Sequence, residues 1–233
     1  MNDTVSGPSP RTPLVIVGAG GLGREVLDVV KAMDAIAPRW SLLGFVADGG
    51  GDLDELEALG VPFLGGVDQL EPDGAYCVDS ASEGQLAQFV IGIGSGPARR
   101  LLDKRLKEAG WEAATLVHPT STIGARCEIS PGTIVTAGVR VTTNIRVGRH
   151  VLLNLNVTVG HDSVLGDYVT ASPGVNISGH VRLDEGVDCG TGASILPRIT
   201  VGHDTRIGAG AVVTKDWPPN CTLVGVPARA MGD

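Results

Sequence analysis

From Val117 onward an apolar residue returns at every sixth position without a slip: Val117, Ile123, Ile129, Val135, Val141, Val147, Leu153, Val159, Leu165, Ala171, Ile177, Leu183, Cys189, Ile195, Val201, Ile207 and Val213. Fifteen of these seventeen positions are Ile, Val or Leu, so the period acts as a rule of construction. A second small or β-branched residue follows four places later in nearly every hexad, as at Val139, Val157, Ser163, Val169 and Ala193. A strict six-residue period fits neither a heptad coiled coil nor a meander with turns of varying length. It predicts a solenoid of short parallel strands whose aliphatic residues stack inward. The glycines directly behind the aliphatics, such as Gly124, Gly148, Gly160 and Gly166, are read as its corners.

The front half obeys other periods. "PLVIVGAGGLG" reads as a buried strand ending in a glycine turn, and "REVLDVVKAM" places Val26, Val29, Val30 and Met33 at helical spacing. "WSLLGFVAD" and "QFVIGIGSG" read as further strands. "PARRLLDKRLKEAG" reads as a helix opened by Pro97 and closed by Gly110. Strand–helix–strand succession implies a small parallel α/β sheet, half of a Rossmann-like fold. The acidic, glycine-rich Gly49 to Glu57 is read as a loop. The expected fold class is therefore a small α/β domain at 14–116, after a frayed leader at 1–13, followed by an all-β parallel solenoid at 117–233.

Composition narrows the function. Aromatic residues make up 3% of the chain against 34 glycines, so the core must be small and aliphatic. The net charge of −8 lies wholly in residues 1–116, with 9 basic against 17 acidic residues; residues 117–233 hold 9 of each. An acidic front half argues against nucleic acid as a partner. No run of eighteen apolar residues occurs, so no membrane insertion is expected. The four cysteines show no CxxC pair, which suits a reducing cytoplasm and argues for neither zinc nor disulfides; no metal is expected.

Two places carry candidate chemistry. "GAGGLG" (Gly18 to Gly23) satisfies GxGxxG between a strand and a helix. Alone it suggests NAD, yet about a hundred residues are few for a two-halved dinucleotide fold. A helix N-terminus behind a glycine turn also binds other phosphates, including the diphosphate of a sugar nucleotide. The second place is His161, at the outward third position of its hexad, which by default is a solvated corner. With three hexads per coil, Gly179 lies one coil above it, at about the strand spacing of 4.8 Å. A glycine there admits a thioester to the backbone, and its N–H can serve an oxyanion. Asp162 and Asn154 stand ready to orient the imidazole or to bind a polar substrate, and Thr143 lies one coil below. His203, one hexad further round, falls on another edge. Imidazole suits proton removal from an amine or hydroxyl at neutral pH.

The hexads, "NVTVGHDSV", "NISGHV" and the closing "GVPAR" together resemble the hexapeptide-repeat acyltransferases. Within them the chain is similar to the sialic-acid O-acetyltransferase and UDP-amino-sugar N-acetyltransferase family. The resemblance implies a left-handed parallel β-helix over residues 117–229, a homotrimer with active sites between subunits, and acetyl-CoA as co-substrate. It implies His161 as general base, supported by Asp162, with Gly179 as oxyanion donor. Thr170, Gly179, Thr191, Ala209 and Arg229 would meet acetyl-CoA. Gly20, Gly21, Leu22, Asp48 and Gly94 would bind the nucleotide-sugar, with Asn154 as a further substrate contact. Some relatives carry a second histidine where this chain has Thr170. The expected activity is N-acetylation of a nucleotide-linked amino-sugar. O-acetylation of sialic acid, a silent trimeric scaffold and an NAD-linked role stand as alternatives.

Overall fold

The computed structural model describes residues 11–51, 53–76 and 87–232. Residues 1–10 of the leader segment and Cys77 lie outside the described residues. The front domain comprises β1 (Thr12–Val17), α1 (Gly21–Asp34), β2 (Trp40–Val46), α2 (Leu53–Ala58), β3 (Gln88–Ile91), α3 (Gly96–Glu108) and β4 (Glu112–Ala113). The strands are parallel in the order β2-β1-β3-β4. Leu14 to Val17 are wholly buried, as a central strand covered on both faces requires.

Two local expectations change. Strand β1 starts at Thr12, inside the segment read as leader. The acidic stretch read as a loop contains the start of α2, whose first turn holds Asp54 and Glu55. Carboxylates there complement the helix dipole, and Leu56 buries the turn against the core.

At Leu116 the chain enters a parallel β-solenoid of about six coils, matching the left-handed β-helix fold. Two-residue strands stack into three faces. Face one runs from Leu116–Val117 to Thr222–Val224, face two from Thr122–Ile123 to Val212–Val213, and face three from Glu128–Ile129 to Thr200–Val201. Strand partners lie 18 residues apart, as in the column Val141, Val159, Ile177, Ile195, Val213. The first and fifth hexad positions both point inward and close one continuous aliphatic core.

The corners are built differently from the expectation. The residue with positive φ is the fourth in the hexad, as at Asn144 (57°), His150 (51°), Asp162 (60°), Tyr168 (59°) and His180 (58°). Glycine at the second position answers a separate need. A Cβ on Gly160 would stand 2.5 Å from the Gly179 nitrogen one coil up, so these glycines permit coil-to-coil approach.

The outward column of face one explains how the two domains join. Leu116, Ile134 and Leu152 are buried in the same cluster as Val26, Leu27 and Val30 of α1. Higher coils present Thr170, Asp188 and Arg206 instead. At the corner between faces three and one, α3 docks through charge. Arg99, 1% exposed, donates to the carbonyls of Ile93, Gly94, His150, Tyr168 and Val169 and to Thr170 Oγ1, at 2.7–3.2 Å. Burial lowers its pKa to about 10, so it remains a cation at neutral pH. Asp103, one turn along, accepts from Arg149 and from the Tyr168 hydroxyl (both 2.7 Å) and lies 2.9 Å from His150 Nε2. His150 is stacked between Phe89 and Tyr168. On its own helix "PARRLLDK" reads as a solvated charged face; only the solenoid's carbonyls make it an anchor.

Candidate active site

His161 stands at the corner between faces two and three, with 56% of its side chain exposed. Its Nδ1 lies 2.7 Å from Asp162 Oδ2. A carboxylate accepts only, so Nδ1 carries the hydrogen and Nε2 keeps a lone pair. That nitrogen meets Gly179, where an added Cβ would fall 2.6 Å from Nε2. Any side chain at 179 would displace the imidazole. Among the described residues no carbonyl accepts from the Gly179 N–H, which stays free for a ligand. An acceptor lone pair and an unengaged amide thus share one corner of the prism.

The Asp162 carboxylate is held from three sides. Asn144, one coil below, donates to Oδ1; His161 donates to Oδ2; and His180, one coil above, approaches Oδ2 at 3.5 Å. The Asn144 and His161 hydrogen bonds hold the Asp162 carboxyl below its ordinary range. The two imidazoles meet edge to face at 5.1 Å. Asn144 and His180 were missed in sequence, where His180 reads as one more fourth-position residue. The 18-residue step that links His161 to Gly179 reaches both when started from Asp162.

The other predicted residues scatter. Thr191 and Ala209 stack at the corner between faces one and two, where Gly210 N–H donates to the Thr191 carbonyl at 2.8 Å. Asn154 is at that corner also, accepting from Leu155 N–H at 2.7 Å, so face two separates it from the imidazole and it does not orient His161. Thr170 is 5% exposed; it accepts from Arg99 and donates to the Gly94 carbonyl, which makes it part of the domain joint rather than an open groove position. Arg229 is exposed on the short C-terminal strand that pairs with face one.

In the front domain the glycines of "GAGGLG" divide the work. Gly18 has φ 107°, and a Cβ on Gly23 would fall 1.9 Å from the Gly18 carbonyl oxygen, so Gly23 allows α1 to press on β1. Gly20 caps α1 with no side-chain partner, and nothing lies within 4 Å of a Cβ built on Gly20 or Gly21. The open helix N-terminus at Gly20 to Leu22 is an anion site. Asp48 and Gly94 follow β2 and β3 at the same sheet edge, where strand order reverses between β1 and β3 and ligands bind in such folds. Asp48 Oδ1 accepts from Val67 N–H at 2.8 Å. Beside them a polar cleft of about 390 Å³ opens between the start of α3 and the solenoid, lined by Ser95, Gly96, Arg100, Asp188 and Arg206 among others.

The comparisons with known proteins agree with this two-part build. Residues 13–106 match the family described as the PglD N-terminal domain. The chain is 34% identical over 82 residues to a GDP-perosamine N-acetyltransferase of Escherichia coli O157:H7, a segment that is 35% of this chain and 37% of that enzyme. A mutant perosamine N-acetyltransferase of Caulobacter crescentus, solved with CoA and GDP-perosamine, superposes with TM-score 0.82 at 26% identity, over 95% of this chain and 97% of that one. The acetyltransferase domain of PglB from Neisseria gonorrhoeae FA1090, solved with acetyl coenzyme A, gives 0.77 at 27% identity, over 95% and 100%. The architecture is that of the hexapeptide-repeat sugar acetyltransferases. Within that class its front part is a PglD N-terminal domain, and its full-length likeness is to amino-sugar N-acetyltransferases.

Proposed function

We propose that this protein transfers an acetyl group from acetyl-CoA to the amino nitrogen of a nucleotide-linked amino-sugar. The observation that carries the proposal is the His161 imidazole, fixed through Nδ1 by Asp162, with Nε2 turned toward the free Gly179 amide. The neutral amine attacks the thioester carbonyl carbon while His161 Nε2 accepts its proton. The oxyanion of the tetrahedral intermediate takes the Gly179 N–H. The C–S bond then breaks, and the CoA sulfur leaves with the proton returned by the imidazolium. No acyl-enzyme is needed, because Ser163, the nearest hydroxyl in sequence, donates into the backbone at Ser178. The open N-terminus of α1 takes the diphosphate, and Asp48 and Gly94 flank the nucleotide. Crystallised relatives bind CoA with GDP-perosamine, or acetyl coenzyme A, which supports both ligand classes.

Assembly follows from where these parts stand. The front domain sits on face one and its corner with face three, whereas His161 occupies the far edge of face three. A sugar held by one front domain therefore reacts at the imidazole of a neighbouring copy, in a homotrimer with acetyl-CoA between the prisms. Among the described residues no helix is long and apolar enough to cross a membrane. The work is assigned to the cytoplasm, where both substrates are made. The test is thiol release from acetyl-CoA against a panel of UDP-, GDP- and dTDP-linked amino-sugars, with mass analysis of the product. A gain of one acetyl group on the sugar amine, lost in His161→Ala, is expected. Thiol release from no member of the panel would overturn the assignment.

A further inference from the structure

His180 is the one imidazole that faces the His161–Asp162 pair, and the chemistry above leaves it unused. It sits one coil above Asp162 at the same corner, with the same left-handed backbone (φ 58°) and 44% of its side chain exposed. Its N–H donates to the His161 carbonyl at 2.7 Å, which fixes its Cα over that residue. From there the ring reaches Asp162 Oδ2 at 3.5 Å and meets the His161 ring at 5.1 Å. The donor atoms of the three side chains all lie within 4.8 Å of one another. Two groups of similar basicity so close to one carboxylate do not titrate independently.

We propose that His180 is a positioning residue whose charge, acting across Asp162, keeps His161 unprotonated to lower pH than an isolated His–Asp pair would. This rests on His161 being the base, as read above. The sign follows from electrostatics. Asp162 attracts a proton to either ring, but once one imidazole is cationic it opposes a second charge about 5 Å away. In a water-like surrounding that opposition is worth about half a pH unit. Acid conditions that would silence His161 are thus met first by His180 taking part of the protonation. The other charged groups around it are few. Arg198 occupies the same corner one coil up, and Arg182 on the next strand is engaged by Asp184 at 2.7 Å. Asn144, below Asp162, is neutral. Neither arginine titrates near neutral pH, so the pH-dependent partner is His180.

The test uses the intact protein and two variants with opposite predicted signs. His180→Asn removes the second titrating group and keeps a residue tolerant of positive φ. His180→Lys makes the charge permanent; arginines at φ 57° (Arg126) and 65° (Arg198) show that this corner accepts long cations. The readouts are the His161 ring-proton NMR titration, which needs no turnover, and the pH profile of kcat/KM. The expected His161 midpoint rises by about half a pH unit in His180→Asn and falls in His180→Lys, with both differences shrinking in 1 M salt. The acid limb of kcat/KM should move in the same senses. Midpoints unchanged in both variants, or shifted in the same direction in both, would overturn the proposal. Should the NMR midpoints separate as stated while the acid limb stays still, the coupling stands and the assignment of His161 as base fails.

Discussion

The tetrapeptide "VGHD" occurs twice, at 159–162 and 201–204, and the two copies fold alike. In each the aspartate is left-handed, at 60° and 53°, and takes the preceding histidine's Nδ1, at 2.7 and 3.1 Å. Their surroundings differ. Asp162 gives its second oxygen to Asn144 inside the solenoid, while Asp204 gives its second oxygen to Arg100 of α3 at 3.2 Å. Above His161 stands Gly179 with a free amide. Above His203 the 18-residue step has slipped, and its carbonyl accepts from Asn220 N–H, a step of 17. The same four residues thus make a candidate base at one corner and a brace for the front domain at another. A His–Asp pair is a local product of a tight corner; what stacks on it decides whether it meets a substrate.

The sharpest way to break this comparison is to remove each imidazole in turn. His161→Asn should lower kcat about 10²–10⁴-fold, the usual worth of general-base catalysis, whereas His203→Asn should leave kcat within about threefold. Equal losses in a steady-state assay would erase the distinction. Next in size is the joint itself. Arg99→Met strands buried carbonyls on both domains and should cost about 3–5 kcal/mol in stability, read by urea unfolding. A loss below about 1 kcal/mol would mean that apolar contact alone holds the domains together.

The smallest effect is one of pH, and it contrasts the exposed His161–Asp162 pair with the buried His150–Asp103 pair. Burial depresses the His150 pKa, against the pull of Asp103. The unfolded chain therefore binds a proton near pH 6.5 that the folded chain refuses, and stability falls as pH drops below that value. Burial alone would raise Asp103. Hydrogen bonds from His150, Arg149 and Tyr168 overcome it and hold the carboxyl well below its ordinary range. Its stabilisation is full above about pH 4 and is lost as pH falls further. Melting temperature should thus decline in two stages on acidification, and His150→Asn should abolish the first. A first stage that survives in that variant would assign it to another group.

The solenoid was legible in sequence because its period is local. An inward aliphatic every six residues and three hexads per coil set the stacking step, and that step alone places Gly179 over His161. The glycine turn of the front domain was legible for the same reason, since Gly18, Gly20 and Gly23 act within one strand–helix unit. The second-position glycines misled, because a glycine needed for close approach of coils looks the same in sequence as one needed for positive φ. Thr170 and Asn154 misled for a related reason: hexad phase says that a residue points outward, not what it meets there.

Repeat spacing, core composition, the three-sided coil and the pairing of each histidine with its neighbouring aspartate were determined by the sequence itself, since each depends on residues within one coil of one another. Only the tertiary structure decided which corner is covered and which is open. Arg99 meets Tyr168 and Thr170 across about seventy residues. No local pattern encodes where a charged helix face finds the carbonyls that will accept it, because that choice is made by two finished surfaces fitting together.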